Sequence, residues 1–345
     1  MFYVLCKDNK NRYTRYDSEL IKTGNNKWTV KISPKKSKFK INIDFSDSST
    51  ENYRGTDYET WIYDVAHFFE QIITSDRQLT IKIYFGKCAG TIAAQCGPGD
   101  TANTSEEFDM TKIADAIDDV DIINNCIITK NASAKFSTDY YKPNKPIKDF
   151  YYTVIHEFFH AFGFGSLWNG NFRIVIKDAP STIGIIPTNL PSIITLPWIL
   201  DNRSLINMLS YIPGINSFIP NFDNFVKVLN SDKGKLLNGQ TNNIGIGPTN
   251  NPQYTAQHSK EAYNNKNIPM WPAPNDNFLM TSSGGGTFMA HWNKDVFPNE
   301  IMTTTFVNDI NKLYIAKFTV ASLRDIGWEV DYTMLRYPLS KFNSV

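Results

Sequence analysis

The sequence predicts an α+β fold, in which a mixed, twisted N-terminal sheet carries two long helices and a C-terminal subdomain follows the second of them. Two hydrophobic patterns predict it. In the first, Phe39, Ile41, Ile43 and Phe45 alternate with polar residues, as do Leu79, Ile81, Ile83 and Phe85. Between these two runs Trp61, Val65, Phe68, Phe69 and Ile72 follow helical spacing, and Ser75-Asp76 ends that run. Strand, helix, strand at this spacing is a crossover that places two parallel strands under one helix. In the second, Tyr152, Ile155, Phe159 and Phe162 recur at helical spacing, and Gly163 and Gly165 mark where that helix ends.

In chain order, residues 1–36 are polar and read as an irregular N-terminal extension. Residues 37–168 form the first subdomain, built on the crossover. Within it, Gly86 to Asp109 is rich in Gly, Ala and Ser and predicts turns with an edge strand bordering a cleft. Asp115, Asp118, Asp119 and Asp121 match no calcium-loop spacing and read as a solvated turn. Lys142 to Lys148 holds Pro143 and Pro146 and leads into the second helix. Residues 169–253 are an insertion whose apolar part, Ile183 to Leu200, is broken by Pro187, Pro191 and Pro197. It predicts either a compact helical insertion or an apolar flap over the cleft. Residues 254–345 form the C-terminal subdomain, where Ala316, Val320 and Leu323 make a helix face, Gly327 a C-cap, and Trp328, Val330 and Tyr332 an extended tail.

Composition narrows the function classes. A chain of 345 residues with 41% hydrophobic and 14% aromatic content buries a sizeable core. A net charge of +1 and the lack of a basic face with interleaved aromatics argue against nucleic acid as a partner. The run Pro34-Lys35-Lys36-Ser37-Lys38 reads as a solvated basic turn. No stretch is apolar for long enough to predict a transmembrane helix, and the N-terminus shows no signal-peptide pattern. Four cysteines do not make a disulfide scaffold at this length; Cys88 and Cys96 are close enough in sequence to pair in an oxidising compartment, but free thiols are the expectation.

The second helix carries the chemistry. His156, Glu157 and His160 spell H-E-x-x-H, and histidines four residues apart leave the same side of a helix, so one metal ion can take both. Glu157, next to the first histidine, is placed to act as a general base on a metal-activated water. A catalytic zinc takes three protein ligands. In the metzincin pattern H-E-x-x-H-x-x-G-x-x-H, Gly163 fits, but Ser166 stands where the last histidine belongs. Histidines His67, His258 and His291 remain, and a carboxylate such as Glu261 or Glu300 is a further option. Of these, His67 lies within the amphipathic first helix and reads as a packed or hydrogen-bonded residue.

His291-Trp292 and Glu300-Ile301-Met302-Thr303 resemble the segment that carries the displaced third histidine and the Met-turn of leishmanolysin-like metallopeptidases, a metzincin family. Tyr254 to Pro269 is similar to the family's approach to that histidine, and Ala321 to Trp328 to the helix after the Met-turn. The resemblance implies a metzincin-like catalytic domain in which His156, His160 and His291 bind one Zn2+, Glu157 is the base, and Met302 forms the Met-turn. It further implies an endopeptidase acting on protein or peptide substrates. The chain departs from the family at Ser166, at Ala256 where glycine is expected, in the long separation of His160 from His291, and in lacking an export signal, so the compartment is left open. Cys6 is not assigned the zinc-blocking role that a prosegment cysteine plays in the family. Two alternatives stand beside the peptidase: an inactive metal-binding module, and a zinc hydrolase with a carboxylate third ligand.

Overall fold

The computed structural model describes residues 38–88, 92–99, 128–165, 252–271, 290–304 and 312–331 with their side chains. It adds the backbone of strands at 2–7, 13–24, 27–34, 120–123, 126–127, 173–175, 193–195 and 336–338, and the single residues 211 and 227. The chain starts with β1 (Phe2–Lys7), β2 (Tyr13–Gly24) and β3 (Lys27–Pro34), an antiparallel meander in the order β1-β2-β3. This corrects the expectation that residues 1–36 are irregular. Polar residues interrupt the hydrophobic alternation there, yet Leu20, Ile21, Trp28, Val30 and Ile32 favour strands. Only Asn25-Asn26 separates β2 from β3, a pair suited to a tight hairpin.

The crossover lies where the alternation placed it. Strand β4 (Lys40–Asp44) leads into a 3-10 turn at Ser48–Tyr53, where the Asp47 carboxylate accepts from the Ser49 amide at 2.9 Å. Helix α1 (Asp57–Ile72) follows, with Asp57 and Glu59 in its first turn, where negative charge suits the helix dipole. It buries Ile62, Val65, Phe69 and Ile72. Strand β5 (Gln78–Gly86) then pairs parallel to β4, with Ile41 opposite Leu79 and Ile43 opposite Ile81. Glu70 fastens α1 to β4: its buried carboxylate accepts from the Ile41 amide at 3.0 Å and from the His67 ring at 3.1 Å. His67 is thereby hydrogen-bonded within the scaffold.

Four further strands precede the second helix: β6 (Ala94–Pro98), β7 (Val120–Ile123), β8 (Cys126–Thr129) and β9 (Asn131–Ser137). The main sheet runs β4-β5-β9-β6, with β9 parallel to β5 and β6 antiparallel at the edge. The sheet is therefore mixed, and the edge strand expected between residues 86 and 109 is β6. Helix α2 (Asp149–Ala161) is buried on every side from Phe150 to Ala161, as a helix apolar all round must be. Phe150 meets Tyr58, Phe136 and Tyr141 at centroid distances of 4.6, 4.7 and 4.8 Å, and Phe69 of α1 meets Phe159 and Phe162 at 5.0 Å each.

Beyond α2, β10 (Arg173–Val175) pairs antiparallel with β11 (Ile193–Thr195). The rest of the expected insertion at 169–253 falls almost entirely outside the described residues, as do Asp115, Asp118 and Asp119, the side chains of Cys6 and Asp121, and Ser166. The chain then forms β12 (Gln253–Tyr254), α3 (Gln257–Ala262), β13 (Ile268–Pro269), β14 (Tyr314–Ala316), α4 (Lys317–Asp325) and β15 (Arg336–Pro338). Helix α4 ends in a Schellman turn at Gly327 (φ 105°), with Gly327 N–H donating to Arg324 O and Trp328 N–H to Leu323 O, both at 3.0 Å. That turn aims Trp328 at the end of α2, where its indole N–H donates to Phe162 O at 2.9 Å. One continuous apolar core runs from Phe39 to Val330. Among the described residues, no helix is long and apolar enough to cross a membrane.

Asp325, on the last turn of α4, supplies the N-terminal cap that α3 lacks. Its carboxylate accepts from the His258 and Ser259 amides at 2.8 and 3.0 Å and from Ser259 Oγ at 2.6 Å. Asp325→Ala leaves these donors facing a void. It is expected to destabilise the fold by about 2–4 kcal/mol, read as a lower denaturant midpoint with an unchanged slope.

Candidate metal centre

His156 and His160 stand four residues apart on α2 and are both buried. Burial penalises the imidazolium and pushes His156 down to about 3 and His160 to about 4, so both rings are neutral at pH 7. A neutral imidazole has one N–H and one lone pair, and its partners decide which nitrogen carries which. His156 Nδ1 lies 2.7 Å from Ile301 O, and His160 Nδ1 lies 2.9 Å from Phe164 O. A carbonyl only accepts, so both protons sit on Nδ1 and both Nε2 atoms keep their lone pairs. Those Nε2 atoms are 3.1 Å apart.

The carbonyl under His160 is supplied locally. Gly163 takes φ 102° and closes a Schellman turn, with its N–H on His160 O at 2.9 Å and the Phe164 N–H on Phe159 O at 3.0 Å. The same turn brings Phe164 O back to the ring. The carbonyl under His156 comes from 145 positions away, out of the turn that holds Met302.

His291 completes the group. Its Nε2 is 3.0 Å from that of His156 and 3.2 Å from that of His160. Two features hold it there. Gly165 (φ 76°) lies against Ala290: a Cβ on Gly165 would come within 2.7 Å of Ala290 Cβ and 2.8 Å of its Cα and O, so only glycine allows this approach. On the other side Trp292 is fully buried between the rings of Phe164, Tyr254 and Phe318, its N–H donating to Met302 O at 2.9 Å and its indole to Thr319 Oγ1 at 2.8 Å.

The donor set fits a metal ion. Three Nε2 atoms face one another at 3.0–3.2 Å, and an ion with metal–nitrogen bonds of about 2.0–2.1 Å can touch all three at once. Among the described residues this is the only group of three His, Cys, Asp or Glu side chains whose ligand atoms converge. The outer Nδ1 contacts are the kind that fix a ligand's tautomer and orientation.

The other candidates lie elsewhere. His258 gives its backbone N–H to Asp325, Glu261 takes the amide of Gln257, and both oxygens of Glu300 are engaged by Met302 N, Ala316 N and Thr319 Oγ1. Neither carboxylate joins the histidines. Glu157 is buried beside His156, and burial pushes its carboxyl up to about 8. Its charge lies near enough to Cys88, to Cys96 of β6 and to Tyr141 to help raise each of them; both cysteines are free thiols. Met302 is fully buried in the turn that serves His156. The sequence singled out none of Gly165, Ile301 O and Phe164 O for these roles. A second glycine, two residues after Gly163, was the only visible sign. Compared with known proteins, the chain matches no family model, no curated protein and no solved structure.

Equilibrium dialysis is expected to give one divalent ion per chain. At 100 times its dissociation constant that ion should add about 2.7 kcal/mol to the unfolding free energy, reversibly with a chelator. Gly165→Val should cut the affinity at least about tenfold, because it displaces Ala290 and with it the neighbouring histidine. Wild-type affinity in that variant argues against the close approach as the device that places His291.

Proposed function

We propose that the chain is a zinc-dependent endopeptidase of the leishmanolysin-like kind, hydrolysing peptide bonds with His156, His160 and His291 as ligands of one Zn2+ and Glu157 as general base. The observation that carries the reading is the convergence of three buried Nε2 atoms with a carboxylate next in sequence to the first of them. Neutral imidazole nitrogens suit zinc, whereas calcium and magnesium prefer oxygen ligands. The mixed sheet, the two long helices and the position of Met302 after His291 are consistent with the metzincin-like arrangement that the sequence resemblance implies.

Bound zinc supplies Lewis acidity to a water and to a peptide carbonyl. The chain's own residues do the rest. Glu157, whose ionised form a cation bound beside it would favour against the effect of burial, takes the proton of the attacking water and returns it to the leaving amine, which needs a carboxylate fixed in direction but not tied up in the scaffold. The Nδ1 contacts of His156 and His160 hold each ring so that Nε2 faces inward. Edge strand β6, which packs against α2, offers backbone groups to an extended substrate, which would add as a further strand. An extended main chain is what an endopeptidase must bind. Met302 contributes its backbone turn and buried side chain, with no ligand bond.

Purified chain and the variants Glu157→Ala and His291→Ala should be compared for zinc content and for cleavage of an unfolded protein such as casein. Glu157→Ala is expected to keep its zinc and lose about 100- to 10,000-fold in turnover. His291→Ala is expected to lose both. Undiminished turnover in Glu157→Ala would sink the mechanism, and normal zinc content in His291→Ala would sink the ligand assignment.

A further inference from the structure

We infer that Glu300 is the positioning residue of the metal centre, a buried carboxylate that sets two of the three imidazoles through its hydrogen bonds to other groups; this deepens the reading of His156, His160 and His291 as metal ligands and rests on it. Glu300 is almost wholly buried and is used on both oxygens. Oε2 accepts from the Met302 amide at 2.6 Å, while Oε1 accepts from the Ala316 amide at 3.0 Å and from Thr319 Oγ1 at 2.6 Å. Thr319 Oγ1 in turn accepts from the indole of Trp292 at 2.8 Å.

Two paths lead from this carboxylate to the histidines. Through Met302 N it closes the turn whose Ile301 carbonyl takes the Nδ1 proton of His156. Through Thr319 and Trp292 it holds the residue that follows His291, and Met302 O takes the Trp292 amide from the other side. His160 stands outside both paths because its carbonyl partner belongs to its own helix end. The third contact, at Ala316 N, is the reach of a capping-box glutamate to the N-cap amide of a helix, here α4, made from outside that helix. Glu300 therefore orients one end of α4, the turn and the segment bearing His291 relative to one another.

Glutamine has nearly the same size but cannot replace it. An amide presents one acceptor and one donor. Its NH2 must face either the Met302 N–H or the Ala316 N–H, and neither can accept. Glu300→Gln thus leaves the bulk in place and, whichever way the amide turns, sets an N–H against either the Met302 amide or the Ala316 amide, forcing the turn or the start of α4 to move. Thr319→Val cuts only the path to Trp292.

The test measures metal affinity and geometry rather than turnover. Zn2+ is titrated into the metal-free full-length chain against a chromophoric chelator, the visible spectrum of the Co2+-substituted chain is recorded, and the unfolding temperature of the metal-free chain is followed. Glu300→Gln is expected to weaken Zn2+ binding by about 10- to 100-fold and to shift the Co2+ bands. Thr319→Val should do the same to a smaller degree. Asp325→Ala, which loosens the far end of α4 and reaches Trp292 only through the Tyr254 ring, should lower the unfolding temperature and change the affinity and the Co2+ spectrum less than Thr319→Val does. If Glu300→Gln does not fold, Thr319→Val decides the matter by the same readouts. Wild-type affinity and spectrum in the folded variants overturn the role of Glu300 alone. A wild-type chain that binds no Zn2+ removes the metal centre, and the role of Glu300 with it.

Discussion

The hydrogen bond from His156 Nδ1 to Ile301 O, 2.7 Å long across 145 positions, is the contact on which the arrangement of the site depends. Helix α2 is buried on every side, so its imidazoles are neutral and each keeps one N–H in need of an acceptor. A helix offers almost none from within, because its carbonyls are spent on amides four residues on. Leaving such a donor unpaired costs about 1–3 kcal/mol. The acceptor must come from another piece of chain, and the place where the Met302 turn docks is set by that need.

His160 shows the other solution to the same problem. It sits two residues before the helix cap, where orphan carbonyls and a glycine turn are available, and Gly163 folds Phe164 O back beneath it. One imidazole is thus fixed by local sequence and the other by tertiary structure. His291 is fixed wholly from a distance, between the bare backbone of Gly165 and the buried Trp292. The hydrophobic core supplies the common frame, since Phe162 and Phe164 at the end of α2 contact Trp328 and Trp292 from the C-terminal segments.

What the sequence made legible follows the same divide. Strands β4 and β5 and helices α1 and α2 could be read because periodicity reports which face is buried. The pair His156 and His160 could be read because helix geometry alone joins them. The meander at residues 1–36 was read as irregular because its alternation is diluted by charged and polar residues, so that local strand preference was the only signal. Strand β9, at an interior position in the main sheet, went unread because Asn131, Ala132 and Ala134 are poor strand formers whose place is set by their neighbours. From the sequence Glu300 could be read only as one possible carboxylate ligand, beside Glu261. Its donors at Met302, Ala316 and Thr319 are scattered along the sequence and leave no pattern. The family resemblance singled out His291, a choice that spacing alone had left open among three histidines and two carboxylates.

The frame around the three nitrogens also bears on which ion it can hold. A larger cation, with bonds of about 2.3–2.6 Å to its ligands, would have to widen the triangle of Nε2 atoms or ride high above it. Widening is resisted on each edge. His156 is tied to the Ile301 carbonyl and His160 to the end of its own helix, and behind His291 the backbone of Ala290 already lies against Gly165. Close-packed surroundings of this kind yield in steps rather than continuously, because moving one ring means moving the turn or the tryptophan behind it. Any selectivity for a small, nitrogen-seeking ion would therefore come from the packing of Trp292 and the Gly165–Ala290 approach as much as from the three imidazoles. For the same reason, the free energy of binding an ion there would be shared with the docking of residues 290–304 onto α2.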